Sequence, residues 1–161
     1  MTTEVAFGTR SPQENWPPLI ELAIKEVFEI MLGSPVAPVA DPELKPREDF
    51  TAIVGLAGAL CGILSLSCDK QTAIQIAKCM LGDAADSEAQ VADALGEICN
   101  MVAGNFKNKL AGTDDRCMLS IPTVISGGEY TFHTMVEGTS IETVLLFENL
   151  PFVVRLQLQT K

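Results

Sequence analysis

Hydrophobic residues recur at spacings of three and four between residues 19 and 31, which is the period of a helix that buries one face. Pro17 and Pro18 stand just before this run, where the first turn of a helix tolerates proline, and Gly33 follows it. The pattern predicts a helix that ends at Gly33. Residues 34–48 are rich in proline and predict an extended connector, with a candidate short edge strand at 36–39.

The helical period returns over a longer stretch in the middle of the chain. Ser87 and Gln90 have the spacing of a capping box, which predicts that a helix starts there. The pattern continues to Leu110, with Gly112 beyond it, and gives a helix about 35 Å long. One stripe of this helix is apolar and must be buried: Val91, Leu95, Ile98, Val102 and Phe106.

Alternating or continuous short apolar runs predict strands elsewhere in the chain. Residues 52–67 predict two buried strands joined by a tight turn, after which Asp69 caps a short helix that Gly82 closes. Further strands are predicted at residues 117–125 (interrupted by Pro122), 130–136, 141–147 (linked to the previous one through Gly138) and 152–158. This order predicts an α+β domain with mainly antiparallel pairing, whose two halves loosely echo one another.

Composition narrows the class of protein. The length of 161 residues fits one domain, and its polar first 15 residues or so are expected to be loosely held. The formal net charge is −10 without a cluster of Lys or Arg, so nucleic acid is not an expected partner. Scattered cysteines and the lack of a recognisable secretory signal favour a cytoplasmic chain with reduced thiols. The only histidine, His133, leaves little for zinc or histidine-based catalysis.

Residues 50–68 contain no charged residue and have about the length of a membrane span. However, Asp49 and Asp69 flank this segment, where basic or aromatic residues are typical of a membrane interface. Three glycines also interrupt it. Two buried strands therefore explain the segment better, and no membrane association is expected.

The polar face of the long helix carries the candidate chemistry. Asp93, Glu97, Asn100, Gly104 and Lys107 are spaced three or four residues apart, so they fall on one stripe. A carboxylate and a carboxamide one turn apart, followed by a glycine that permits close approach, favour a surface presented to a partner. An ordinary solvated helix face carries the same residue types, so the spacing alone leaves both interpretations open.

The segment Glu97-Ile-Cys-Asn-Met-Val-Ala-Gly-Asn resembles the signature helix of the CheX group of chemotaxis phosphatases, within the CheC/CheX/FliY superfamily. Members carry Glu-x-x-Asn on an exposed helix, often continued as Asn-Met-x-x-Gly-Asn. The likeness extends in order from about Leu19 to the end, through Ile53-Val-Gly-Leu-Ala-Gly and Ile121-Pro-Thr-Val-Ile-Ser-Gly. It implies a CheC-like fold, with long helices packed on the sheet and pseudo-two-fold halves.

The resemblance implies a phosphatase that acts on the aspartyl phosphate of a CheY-type response regulator. Carried over to this sequence, Asn100 would orient the attacking water and Glu97 would pair with the regulator's phosphate-binding lysine. Asp93, Gly104 and Lys107 would contribute to partner binding. The regulator would supply the phosphoaspartate and Mg²⁺, so no cofactor or metal is expected on this chain.

Two-site members of the superfamily carry a second Glu-x-x-Asn on the first helix, which here reads Lys25-Glu-Val-Phe-Glu-Ile and lacks asparagine. One site per chain is therefore predicted. The resemblance also implies a homodimer formed through a sheet edge. The alternative function is a non-catalytic binding or adaptor module, of the flagellar switch or of a two-component pathway. Such a module would not be expected to keep both Glu97 and Asn100.

Overall fold

The structure is a computed structural model that describes residues 15–83, 85, 87–110 and 117–159. In this part of the chain there are three α-helices: α1 (Trp16–Leu32), α2 (Lys70–Leu81) and α3 (Glu88–Lys109). The strands are β1 (Val36–Pro38), β2 (Phe50–Gly58), β3 (Gly62–Cys68), β4 (Cys117–Leu119), β5 (Thr123–Ser126), β6 (Gly138–Phe147) and β7 (Leu150–Gln159). They form one antiparallel sheet in the order β1-β6-β7-β3-β2-β4, and β5 also pairs with β2. The predicted α+β class is confirmed.

The helix ends follow from local sequence signals. α1 has proline in its first turn, and Gly33 ends it in the left-handed conformation, at a φ of 70°. The Asp69 side chain accepts a hydrogen bond of 2.8 Å from the Thr72 N–H and so caps α2. Ser87 and Gln90 form the predicted capping box of α3. Gly112, which was predicted to follow the end of this helix, lies outside the described residues. The predicted loose segment before Asn15 also lies outside them.

The uncharged segment 50–68 forms the β2–β3 hairpin, whose residues pair in register from Phe50 with Cys68 to Leu56 with Gly62. Among the described residues, no helix is long and apolar enough to cross a membrane. The hydrophobic composition of this segment is therefore explained by its burial within the sheet.

The three helices cover one face of the sheet. Every residue of the predicted apolar stripe of α3 is buried, and the Cys99 thiol of the same helix lies 3.6 Å from the Ala52 carbonyl oxygen of β2. Phe28 of α1 stacks on Phe152 of β7, with ring centroids 4.6 Å apart and planes 7° from parallel. α3 is thus held firmly against the sheet, with its polar stripe turned outward.

Three predictions about the strands need correction. Residues 117–125 form two short strands with Pro122 between them, so the predicted interruption is a complete break. Residues 130–136 form no strand. Tyr130 instead hydrogen bonds through its hydroxyl to Thr51 Oγ1 at 2.6 Å, so this segment begins against the sheet face opposite the helices. β6 starts at Gly138, which is part of the strand and not a linker.

Candidate functional site

α3 presents the candidate residues on its outer side. Asp93 and Glu97 are exposed, whereas Asn100, Gly104 and Lys107 are half-buried. Because all five lie on one well-packed helix, their relative positions are fixed by the helix itself. The structure thus places the predicted stripe together on one surface.

Asn100 lies in a groove between α1 and α3 with a volume of about 430 Å³. α1 contributes Val27, Ile30 and Met31 to the groove, and Leu119 of β4 closes its other side. Gly104 also lines this groove. Glu97 lies one turn before Asn100, exposed to solvent. The Asn100 carboxamide is therefore held in a groove whose sides are formed by α1 and β4. The Glu97 carboxylate projects beside it.

Side-chain contacts fix the spacing of α1 and α3 at one end of the groove. Asn105 Nδ2 donates hydrogen bonds to the Ala23 carbonyl oxygen at 3.3 Å and to Glu26 Oε2 at 2.9 Å. Lys109 Nζ forms an ion pair with Glu26 Oε2 at 2.7 Å. The hydrogen bonds from Lys109 and Asn105 lower the pKa of Glu26 below its usual value. Glu26 is thus charged and doubly held at neutral pH.

The β4–β5 connection runs along the other side of α3. A Cβ placed on Gly104 would lie 3.9 Å from Leu119 Cδ1, while a Cβ on Gly96 would lie 3.2 Å from Val124 Cγ2 and 3.5 Å from Pro122 Cβ. Gly96 thus packs closely against β5 and the residue that precedes it. Gly104 has room around it, so it does not have to be glycine for the packing of this chain.

Ser120 anchors this connection, a role that sequence reasoning missed. Its N–H donates to the Gly55 carbonyl oxygen at 2.9 Å, and its hydroxyl oxygen accepts from the Gly55 N–H at 2.8 Å. Ile121 comes next and is largely exposed. The contact pair Ser120–Gly55 could not be found from spacing because the two residues are distant in sequence.

Other candidate groups near the stripe are structural. Burial raises the pKa of the Cys99 thiol to about 12, as expected for a packing residue beside Asn100. Burial also raises the pKa of Cys117, and the nearby charge of Lys107 partly opposes this rise, which places Lys107 close to β4. His133 is exposed. No group of three or more His, Cys, Asp or Glu side chains within the described ranges is placed to hold a metal ion.

Comparison with known proteins gives this surface a context. The CheX family, described as chemotaxis phosphatase CheX, matches residues 50–145, a range that contains both Glu97 and Asn100. The chain belongs to the CheX family. It is similar to the CheY-P phosphatase CheX of Thermotoga maritima, with 30% identity over 80 residues, which are 48% of this chain and 52% of that protein. The matched stretch thus spans about half the length of this CheX relative.

Solved structures of CheX proteins have the same fold. The chemotaxis protein CheX from Vibrio vulnificus superposes with a TM-score of 0.77 at 25% identity, covering 93% of this chain and 100% of that one. The CheX–CheY–BeF₃–Mg²⁺ complex from Borrelia burgdorferi gives a TM-score of 0.69 at 23% identity, covering 90% and 98%. The predicted CheC-like fold is thereby confirmed.

Proposed function

We propose that this CheX-family chain is a phosphatase that hydrolyses the aspartyl phosphate of a CheY-type response regulator. The family match and the Thermotoga relative, which is named a CheY-P phosphatase, support the reaction. The Borrelia complex, in which a protein of this fold is joined to CheY, supports the class of partner. The observation that carries the proposal is the placement of Asn100, half-buried in a groove and one helical turn from the exposed Glu97.

Asn100 orients the attacking water. Phosphoryl transfer requires little covalent chemistry from the protein and depends chiefly on positioning and charge stabilisation. A carboxamide can accept a hydrogen bond from the water and donate another to an oxygen of the phosphoryl group. Since it is neutral, it adds no repulsion to a phosphoryl group in the transition state. Because α3 packs against both α1 and the sheet, Asn100 has little conformational freedom before the partner binds. Binding therefore costs little conformational entropy at this residue.

Glu97 docks the partner. Its carboxylate is exposed and lies beside the groove, where it can reach a lysine on an opposing surface. An interprotein charge pair of this kind contributes to the association rate and fixes the relative orientation of the two proteins. Asp93 and Lys107, at the two ends of the stripe, adjust this docking, and Gly104 permits close approach. The regulator supplies the phosphoaspartate and its Mg²⁺, and no residue of this chain is assigned to a metal.

The chain uses one such site. Along α1, Glu26 and Glu29 have the spacing that Glu97 and Asn100 have along α3. However, Glu26 is already bound by Lys109 and Asn105, and Glu29 is a carboxylate that would repel a phosphoryl group. A second water-orienting carboxamide is therefore missing from α1.

The same proposal includes a homodimer. β1 pairs with only the last residues of β6, from Leu145 to Phe147. Among the described residues, no strand pairs with the outer edge of β6 from Gly138 to Val144. An open edge of this length is a ready partner for the same edge of a second copy.

The test is catalytic turnover on a phosphorylated regulator. CheY-type regulators from the same genome are phosphorylated, and the decay of the aspartyl phosphate is followed with the chain present at one-tenth of the regulator concentration. We expect faster decay through many turnovers per chain. If the chain binds these regulators without shortening the phosphate lifetime, the non-catalytic adaptor function replaces the phosphatase.

A further inference from the structure

The groove that contains Asn100 has two exposed apolar sides from different parts of the fold. On the α1 side, Ile30 is 79% exposed and Met31 is 38% exposed. On the opposite side, Leu119 lines the groove, and Ile121, two residues further along the β4–β5 connection, is 88% exposed beyond it. Leu119 packs beside Gly104 and Pro122 beside Gly96, so Ile121 lies between these contacts, level with Glu97 and Asn100. Large apolar side chains exposed around a polar site are typical of a surface that a partner covers.

Both sides are held in place before any partner arrives. Ser120 fixes the β4–β5 connection through its two hydrogen bonds to Gly55. Ile30 lies one turn beyond Glu26, which Asn105 and Lys109 hold. Preorganised apolar residues of this kind bind with a small loss of conformational entropy.

The charge of the groove also fits a partner that carries a phosphoryl group. The chain has a formal net charge of −10, yet the side chains that line the groove around Asn100 are uncharged apart from Glu26, while Glu97 lies outside this lining. Glu26, the carboxylate that lines the groove, is neutralised by Lys109. An anionic surface can therefore approach Asn100 from the side of the groove with less repulsion than elsewhere on the chain.

We infer that Ile30 and Ile121 form the docking surface for the receiver domain of the phosphorylated regulator and determine the affinity for it. The inference rests on the proposed function, because Asn100 is half-buried between these two sides. Any partner that brings a phosphoryl group to the carboxamide must press its own surface against both of them. The two side chains act in recognition and take no part in the hydrolysis.

The test compares two double variants in which the substituted side chains are about equally exposed. Ile30→Ser with Ile121→Ser removes the apolar sides of the groove. Met118→Ser with Met135→Ser is the control, since Met118 and Met135 are 74% and 90% exposed. Met118 alternates with Leu119 along β4 and so points to the opposite face of the sheet from the groove. Binding of a regulator saturated with BeF₃⁻ and Mg²⁺ is measured by titration, and phosphate decay is measured at rising concentrations of regulator.

For the isoleucine variant we expect binding weakened about tenfold, with an equal rise in the half-saturating concentration and an unchanged maximal rate. Thermal unfolding should stay as in the wild type, because both side chains are exposed. Binding equal to that of the methionine control would overturn the inference while leaving the phosphatase in place. If the isoleucine variant changes its oligomeric state and keeps its affinity for the regulator, the surface belongs to an interface with a second copy. That result would overturn the inference too. If the wild type binds without hydrolysis and only the isoleucine variant loses binding, the docking surface stands and the phosphatase proposal fails.

Discussion

Asn105 of α3 donates a hydrogen bond of 2.9 Å to Glu26 of α1, at one end of the groove that contains Asn100. Glu26 also forms an ion pair with Lys109. Through these two contacts Glu26 joins α1 to α3. Its carboxylate therefore supports the groove in which Asn100 lies.

This relationship predicts a pH-dependent contribution to stability. Glu26→Gln should lower the free energy of unfolding at neutral pH, because the ion pair with Lys109 is lost. Since the pKa of Glu26 is lowered in the folded chain, its contribution is full above the ordinary value of 4.5 and disappears as the pH falls through the folded value. Urea unfolding from pH 7 to pH 3 should show the wild type and the variant converging at acid pH.

The matched control is Glu21→Gln, which removes an exposed ion pair with Lys25 within α1. It should change stability less, because exposed pairs within one helix contribute about 0.3–0.5 kcal/mol. An equal loss in the two variants would mean that Glu26 does not hold α1 to α3.

The two glycines of α3 should respond differently to alanine. At Gly104 the new methyl group would meet only Leu119 Cδ1, at 3.9 Å, so the gain of about 1 kcal/mol in helix propensity should appear as stability. At Gly96 the methyl group would lie 3.2 Å from Val124 Cγ2, and the displaced neighbour should offset much of that gain. Chemical denaturation of both variants measures this difference.

The same substitution tests whether a partner approaches closely at Gly104. Gly104→Ala should bind the regulator more weakly although it is more stable than the wild type. Unchanged affinity in a stabilised variant would remove Gly104 from the docking surface.

Glu97→Gln should weaken engagement with the regulator while leaving the maximal rate of hydrolysis nearly unchanged, since a charge pair between the proteins is lost. The half-saturating concentration of the wild type should rise with ionic strength, and that of the variant should rise less. Titrations at low and high salt measure both effects.

Glu129→Gln provides the control for net charge, because it removes one negative charge at an exposed position outside the α3 stripe. If this control weakens binding as much as Glu97→Gln does, the effect is one of overall charge. If saturating regulator fails to restore the rate of Glu97→Gln, the carboxylate has a chemical role.

Much of the fold could be predicted because its signals are local. Asp69, Ser87 and Gly33 mark helix ends through contacts with residues three or four positions away, which a sequence displays directly. The buried stripe of α3 follows from the helical period alone. The position of Asn100 beside α1 could not be predicted in this way, since it depends on how two helices distant in sequence pack together.

The failures share a physical cause. Residues 130–136 have the composition of a strand, but a strand forms only where the segment pairs with a neighbouring strand, and Tyr130 instead bonds to Thr51 on the face of the sheet. The role of Ser120 depends in the same way on a distant partner, Gly55. The exposure of Ile121, which falls within the predicted strand at residues 117–125, could not be predicted either, because sequence alone does not tell which apolar residues remain in contact with water.

The central claim concerns the Asn100 carboxamide, and the lifetime of the aspartyl phosphate tests it most directly. The decay is measured with no addition, with the wild type, with Asn100→Ala and with Gln71→Ala. Gln71 is an exposed carboxamide on α2, and it is not among the residues that line the groove. The wild type and Gln71→Ala should shorten the lifetime. Asn100→Ala should leave it at the spontaneous value while still binding the BeF₃⁻-saturated regulator, and near-wild-type turnover by this variant would contradict the mechanism.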